Sequence, residues 1–414
     1  MKYNISYDII CVFESKVKKL AKIFKSKMIF IIVYLAYASI YIARVNLSIA
    51  SPELINLKVL DTVQIGALGS VFSTIFASGR LINGAISDKT PPWKMLTIGL
   101  VFVAISNFLV GFFPPFLAIF LLWTVNAYAQ SMLWSSVLCV ISSLYEKNIA
   151  KKKSSLMVTS VATGNIVGIL LNTVLITMFG ARFAFLVPGV ITLILSGFVL
   201  FSTHDIKPQF KETKKHKSMF QLLKEKEMLV MLIPALFHGV MKENISLWMT
   251  VFIVDTYLVD LSTSSYYILL IPSIGLVGRM IYSAVYKICK ENENNVSLIG
   301  FAICVICALL LCFGKVNILV SILALSLIYA AVSMINTSML SIYPMHYTQS
   351  GNVASVSGIM DFATYLGAGI SSVIYGVVIK SLGYSPMFIS WIVISLISIV
   401  LIVKININRK KSAF

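Results

Sequence analysis

Residues Thr203–Glu227 read THDIKPQFKETKKHKSMFQLLKEKE, the longest polar stretch in a chain of 414 residues that is 58% apolar and 12% charged. Soluble domains carry about 25% charged residues. Outward from this segment the chain resolves into six long apolar runs before it and six after it, near 28–50, 62–86, 94–112, 116–143, 155–179, 183–202, 228–252, 264–286, 296–313, 317–340, 351–379 and 385–406. A bilayer core about 30 Å thick needs about 20 apolar residues per helix. Only helices and closed barrels satisfy backbone groups in lipid, and barrel strands would be short and alternating. The expected organisation is an all-α integral membrane protein: a tail at 1–27, a six-helix bundle at 28–202, a linker at 203–227, a second six-helix bundle at 228–406 and a tail at 407–414.

The net charge of +18 invites a nucleic-acid reading, and its distribution excludes it. Of the 34 lysines and arginines, 26 lie in the two tails, the linker and the turns near 89–94, 147–153 and 287–290, all on one side of the bundle. The opposite loops hold Lys58, Arg182, Lys315 and Lys380, and Arg44, Arg80, Lys242 and Arg279 fall inside apolar runs. The positive-inside rule then places both termini in the cytoplasm. No cleavable signal peptide is read in the lysine-dotted first 27 residues. Phe13, Val17, Leu20 and Phe24 recur there at helical spacing, which fits an interfacial amphipathic helix or a solvated tail. Cys304 and Cys307, with Val and Ile between them in a membrane run, read as packing residues.

The two halves repeat each other. Arg44-Val-Asn46-Leu47-Ser48 in the first run of the first half matches Lys242-Glu-Asn244-Ile245-Ser246 in the first run of the second, at an offset of 198 residues. Gly79-Arg80 matches Gly278-Arg279 at an offset of 199. A duplicated unit of this kind, with its site at the midplane between the halves, describes a major class of transporters.

An ionisable group in mid-membrane costs at least about 2.5–3.5 kcal/mol and marks function by default. Arg44 lies about 16 residues into its run, roughly 24 Å from the edge at 1.5 Å per residue, and Lys242 lies at the equivalent depth. Two converging cations suit an anion such as a phosphate or carboxylate. The competing reading neutralises them internally, with Glu243 or a Lys242–Asp361 pair. Tyr37 and Tyr41 precede Arg44 on its face, His238 lies four residues before Lys242, and Asn126, Gln130 and Trp134 form a stripe. Asp361 and Tyr365 are four apart, and Asn165 stands among small residues. Each of these fits either a polar pocket or hydrogen bonding between helices. Arg80 and Arg279, about two turns from the helix ends, read as snorkelling gate or turn elements together with Gly79, Gly84, Asp88, Lys89 and Gly278. No metal cluster, phosphate-cradling loop or catalytic set is read, so neither a cofactor nor enzyme chemistry is expected.

These residues resemble the major facilitator superfamily: Gly84-Ala-Ile-Ser-Asp88-Lys89 looks like its signature between helices two and three. More narrowly the chain resembles the organophosphate:phosphate antiporter family, through YASIYIARVNLSIASPELI with Arg44, GRLINGAISDK, Gln130-Ser-Met132-Leu-Trp134, Trp248 and MDFATYLGAG. The resemblance implies two pseudo-symmetric six-helix bundles and an essential arginine at Arg44. It also implies departures. The family's second phosphate-binding arginine falls at Lys242, which keeps the charge and loses the planar fork. Its fifth-helix histidine falls at Gly164 beside Asn165, its paired prolines fall at Ser135 and Ser136, and Glu243 adds negative charge.

The expected function is alternating-access transport of a small organic anion, driven by phosphate exchange or by a proton gradient titrating Asp361 or Glu243. The expected setting is a monomer in the lipid bilayer of a bacterial plasma membrane. Two alternatives stay open: a proton-coupled carrier of neutral or cationic solutes, and a transporter-like metabolite sensor.

Overall fold

A computed structural model of the chain describes residues 3–87, 90–206, 219–312, 317–347 and 353–412. Asp88 and Lys89 of the signature turn lie outside the described residues. Among the described residues, twelve helices are long and apolar enough to cross a membrane. The first half comprises α1 (Tyr3–Asn56), α2 (Thr62–Ser87), α3 (Pro92–Val110), α4 (Phe116–Ser131), α5 (Leu133–Leu144), α6 (Lys147–Phe179) and α7 (Phe183–Thr203). A single turn, α8 (Met219–Leu222), precedes α9 (Lys226–Tyr257), α10 (Leu261–Ile288), α11 (Glu293–Cys312), α12 (Ile318–Thr337), α13 (Val353–Leu382) and α14 (Ser385–Ser412). An even number of crossings puts both chain ends on one face, called here the termini face.

The helix ends follow local chemistry. Pro91 and Pro115 stand just ahead of α3 and α4, and Pro92 opens α3, where its missing N–H has no intrahelical partner to lose. Gly180 ends α6 with φ 94°, a conformation that favours glycine. Asp61 and Gln64 form a reciprocal cap on α2: the Gln64 N–H donates to Asp61 Oδ1 at 2.8 Å and the Asp61 N–H to Gln64 Oε1 at 2.9 Å. Asp260, 199 residues later, caps α10 by accepting from the Thr263 N–H at 3.0 Å. The fourth crossing breaks at Met132 between α4 and α5, where the hydroxyls of Ser131 and Ser136 bond to backbone carbonyls one turn back. Such back-bonding bends helices. The tail expected before residue 28 continues α1 without interruption from Tyr3, since no Gly or Pro occurs before Pro52. At the other end α14 continues through Arg409, whose guanidinium holds Glu227 at the start of α9 and Glu293 at the start of α11.

The repeat is visible in the packing. Gly79 lets α2 close onto Ser131 of α4, and Gly278 lets α10 close onto Ala330 of α12. Asn46 donates to Asn107 Oδ1 (2.8 Å) and the Ala184 carbonyl (3.0 Å), tying α1 to α3 and α7. Its repeat mate Asn244 donates to Ser371 Oγ at 2.7 Å, tying α9 to α13. Cys304 and Cys307 are buried in the apolar core, as packing requires.

The two halves meet along α2 and α13, which run antiparallel in one register. Asp61 faces Lys380, Gly66 faces Gly376, Gly69 faces Ser372, Thr74 faces Gly369, Phe76 faces Tyr365 and Arg80 faces Asp361. Ser48 of α1 donates to the Leu247 carbonyl of α9 at 3.1 Å, on the side away from the termini. These contacts join the halves on that side, and a cavity of about 220 Å³ lies between the halves on the termini side, beside Arg80 and Asp361.

Close backbone approach makes one position especially sensitive. A Cβ at Gly239 would fall onto the carbonyl of Thr364, and one at Gly367 onto that of Leu236, so α9 and α13 touch backbone to backbone. Gly239→Val is expected to cost more than the usual ~1–3 kcal/mol of overpacking, because no side chain there can yield. Gly197→Val, with open space around it, is the control. Thermal melting of the detergent-purified proteins checks this: equal melting temperatures would contradict the contact.

Candidate functional site

A central cavity of about 150 Å³ lies between the halves at mid-height. Arg44, Lys242, Glu243 and Arg279 are its charged lining residues, with Tyr41, Asn165, Tyr329 and Tyr365 among the polar ones. The core places them there. Gly164 and Gly168 let α6 lie directly against α1 at Ala38 and Ile42, bringing Asn165 beside Tyr41. Asn46 and Asn244 anchor the backbones two residues beyond Arg44 and Lys242.

Glu243 sits between the two mid-membrane cations. Its Oε2 accepts from Arg44 Nη2 at 3.2 Å and its Oε1 lies 3.0 Å from Lys242 Nζ. The carboxylate therefore bridges α1 of one half and α9 of the other. The three side chains retain only 15–19% exposure, so water screens the triad weakly. Aromatic faces complete the enclosure: the Arg44 guanidinium carbon lies 4.6 Å from the Phe72 ring centre and 5.1 Å from that of Phe76, and Lys242 Nζ is 5.5 Å from that of Tyr365. Such contacts stabilise a cation without cancelling its charge.

Among the described lining residues, three cations face one carboxylate. Arg80 is accounted for elsewhere: it does not snorkel but pairs with Asp361 across the halves, below the cavity on the termini side. The pairing of Lys242 with Asp361 that the sequence allowed is therefore replaced by two others, Lys242–Glu243 and Arg80–Asp361. Arg279, expected as a gate or turn element, lines the central cavity.

Of the other expected site residues, Tyr41, Asn165 and Tyr365 join Arg44 and Lys242 in the cavity wall, and five do not. Tyr37 is two turns, about 10 Å, further toward the termini face, buried under the ring of Trp134 at 5.3 Å. Trp134 and Asp361 border the cavity on the termini side. Gln130 donates to Asn126 at 3.2 Å within the helix core. His238 is fully buried, its ring near the backbones of Ala235 and Val332 without completing a hydrogen bond. Tyr37, Gln130 and His238 are covered by neighbouring helices, whereas Trp134 and Asp361 face the cavity on the termini side. Gly79 and Gly278 act in packing, and Gly84 lies within α2.

One pairing was missed. Lys380, read only as a loop residue, and Asp61, not singled out in the sequence, close the far end of the α2–α13 seam at 2.9 Å. The capping spacing Asp61-x-x-Gln64 was visible, but its partner 319 residues away was not. Burial raises the affinity of Asp61 for its proton, but the Gln64 N–H and the Lys380 ammonium outweigh it and hold the carboxyl below its ordinary range. A lowered folded value contributes stability above the unfolded pKa and loses it as pH falls through the folded one, so this end of the seam stays paired at neutral pH.

The Major Facilitator Superfamily family model matches residues 33–372, most of the chain. The chain belongs to that superfamily. Among curated relatives, it is 29% identical over 193 residues to a probable hexose phosphate transport protein of Chlamydia trachomatis, covering 47% of this chain and 42% of the relative. It is 32% identical over 111 residues to the membrane sensor protein UhpC of Escherichia coli, covering 27% of this chain and 25% of that one. The aligned stretches thus span less than half of these relatives. The fold matches the solved nucleoside transporter NupG with a TM-score of 0.72 at 16% identity, covering 92% of this chain and 98% of that one. It matches a bacterial homologue of the lysosomal transporter Spinster with a TM-score of 0.71 at 12% identity, covering 92% and 95%. The chain is a multi-pass membrane protein of this superfamily, similar to relatives named as hexose phosphate and glycerol-3-phosphate transporters, and these matches agree with the organophosphate:phosphate antiporter resemblance.

Proposed function

We propose that the protein is a secondary active carrier of a small organic anion, an organic phosphate or carboxylate, working by alternating access. The observation that carries this reading is the cavity between the halves, in which Arg44, Lys242 and Arg279 face the single carboxylate of Glu243. A surplus of two positive charges in a weakly screened space suits a dianion. The relatives named as hexose phosphate and glycerol-3-phosphate transporters support this substrate class. The termini face would lie in the cytoplasm, which the charge distribution supports, and the bacterial relatives support an inner membrane. The halves would then be joined on the outward side. They would rock about the cavity, with Arg80–Asp361 parting and re-forming, driven by phosphate exchange or by protons.

The test is uptake of labelled hexose phosphate, glycerol phosphate and carboxylates into vesicles preloaded with phosphate. Arg44→Gln removes charge-assisted hydrogen bonds worth about 1.5–3 kcal/mol each, so uptake is expected to fall by about 10–100-fold. Absence of anion flux under both phosphate and proton gradients would defeat the reading. A sensor is the second reading, favoured by the similarity to UhpC; it predicts saturable binding without flux in the same vesicles.

A further inference from the structure

The α6–α10 contact is the repeat mate of the α2–α13 seam, and the two differ in one respect. On α2, Arg80 meets Asp361 of α13. On α10, Arg279 stands at the equivalent step, and the small cavity beside it is lined by Val161, Ala162 and Asn165 of α6 with no acid. Among the described residues Arg279 has no ion-pair partner. Asn165 and Tyr329 line the same small cavity and also the central one. Gly275, one turn before Arg279, has no side chain, and the Tyr329 ring lies directly against the helix there. A guanidinium, an amide and a phenol thus converge where the small cavity adjoins the central one, and the described lining of the small cavity includes none of Arg44, Lys242 and Glu243.

We propose that Arg279, Asn165 and Tyr329 form a second acceptor-binding subsite, so that the substrate is an acid with an anionic group at each end. One group would lie at Arg44 and Lys242, and a planar carboxylate, which suits the fork of Arg279, at the other. This inference rests on the anion-carrier reading. It turns that reading's surplus of charge into a shape: the cations would serve two ends of one substrate rather than one point.

Exchange of labelled inorganic phosphate in phosphate-loaded vesicles tests it, with glycerol 3-phosphate and 3-phosphoglycerate as unlabelled competitors. The two differ only in carrying a hydroxymethyl or a carboxylate at the far end. The wild type is expected to bind 3-phosphoglycerate at least about 10-fold more tightly, the loss of one charged hydrogen-bonded contact. Arg279→Gln is expected to bring the ratio of the two near one, and Arg279→Lys to restore part of it. Arg44→Gln should weaken both competitors alike. The ratio is not moved by a general loss of fold or flux. A wild-type ratio near one, or a ratio unchanged by Arg279→Gln, overturns the subsite. No phosphate exchange in the wild type, with no flux of either labelled ester, overturns the carrier reading and the subsite with it.

Discussion

Replacing Asp361 with Asn is expected to reduce transport by about 100-fold or more. Asp361 pairs with Arg80 between the halves, and the two side chains are 19% and 27% exposed. Removing one partner of a largely buried pair leaves a charge uncompensated, at a cost of about 3–5 kcal/mol. That cost falls on the α2–α13 seam, along which the proposed alternating access would part the halves. The other end of the same seam makes a useful contrast. Asp61 and Lys380 are about half exposed, and such pairs contribute only ~0–1 kcal/mol. Asp61→Asn is accordingly expected to leave transport nearly unaltered at neutral pH. The decisive variant is the exchange Arg80→Asp with Asp361→Arg, which restores the pair in reverse. Recovery of phosphate exchange in that double variant identifies the pair as a structural latch. Recovery of exchange without gradient-driven accumulation identifies Asp361 as the proton carrier. No recovery of either contradicts both roles.

The second large effect is expected at Glu243. Its two oxygens engage Arg44 and Lys242 and so occupy the ground between the cations that a substrate anion would take. A carrier that reorients empty must move those cations through a poorly screened interior, and unpaired charges there cost several kcal/mol. On the proposed function, Glu243 would supply the missing negative charge when no substrate is present, and a bound dianion would compete with it. In Glu243→Gln the ratio of net efflux to substrate exchange is therefore expected to fall by about 10-fold or more, because the return of the empty carrier loses its counter-charge. Efflux from loaded vesicles, with and without substrate outside, measures the ratio. An unchanged ratio would remove Glu243 from the empty return. A wild type that performs exchange alone would show that the carboxylate does not permit that return.

The network of Arg409, Glu227 and Glu293 on the termini face shows how far charge counting reaches. Arg409 belongs to the basic excess that orients the chain, yet its guanidinium is committed to two carboxylates, with Nη2–Oε1 of Glu227 at 2.6 Å. Composition registers the charge, and only the folded chain reveals its partner.

What the sequence determined by itself is what depends on neighbours along the chain. Run lengths dictated twelve helices, the repeated Arg44-x-Asn46 and Lys242-x-Asn244 segments declared the duplication, and depth along each helix put two cations at mid-membrane. These follow from a fixed rise and a fixed period per residue. Pairing across the bundle does not. Whether Asp361 meets Lys242 or Arg80 depends on how α13 is rotated and tilted against α2 and α9. That is set by backbone contacts at Gly66, Gly239 and Gly367, between residues more than a hundred positions apart. The tertiary structure alone decided that Glu243 bridges the halves, that Tyr37 and His238 are walled off from the cavity, and that Arg279 enters it. Helical periodicity specifies a direction on one cylinder; which neighbour lies in that direction is decided by the packing of twelve.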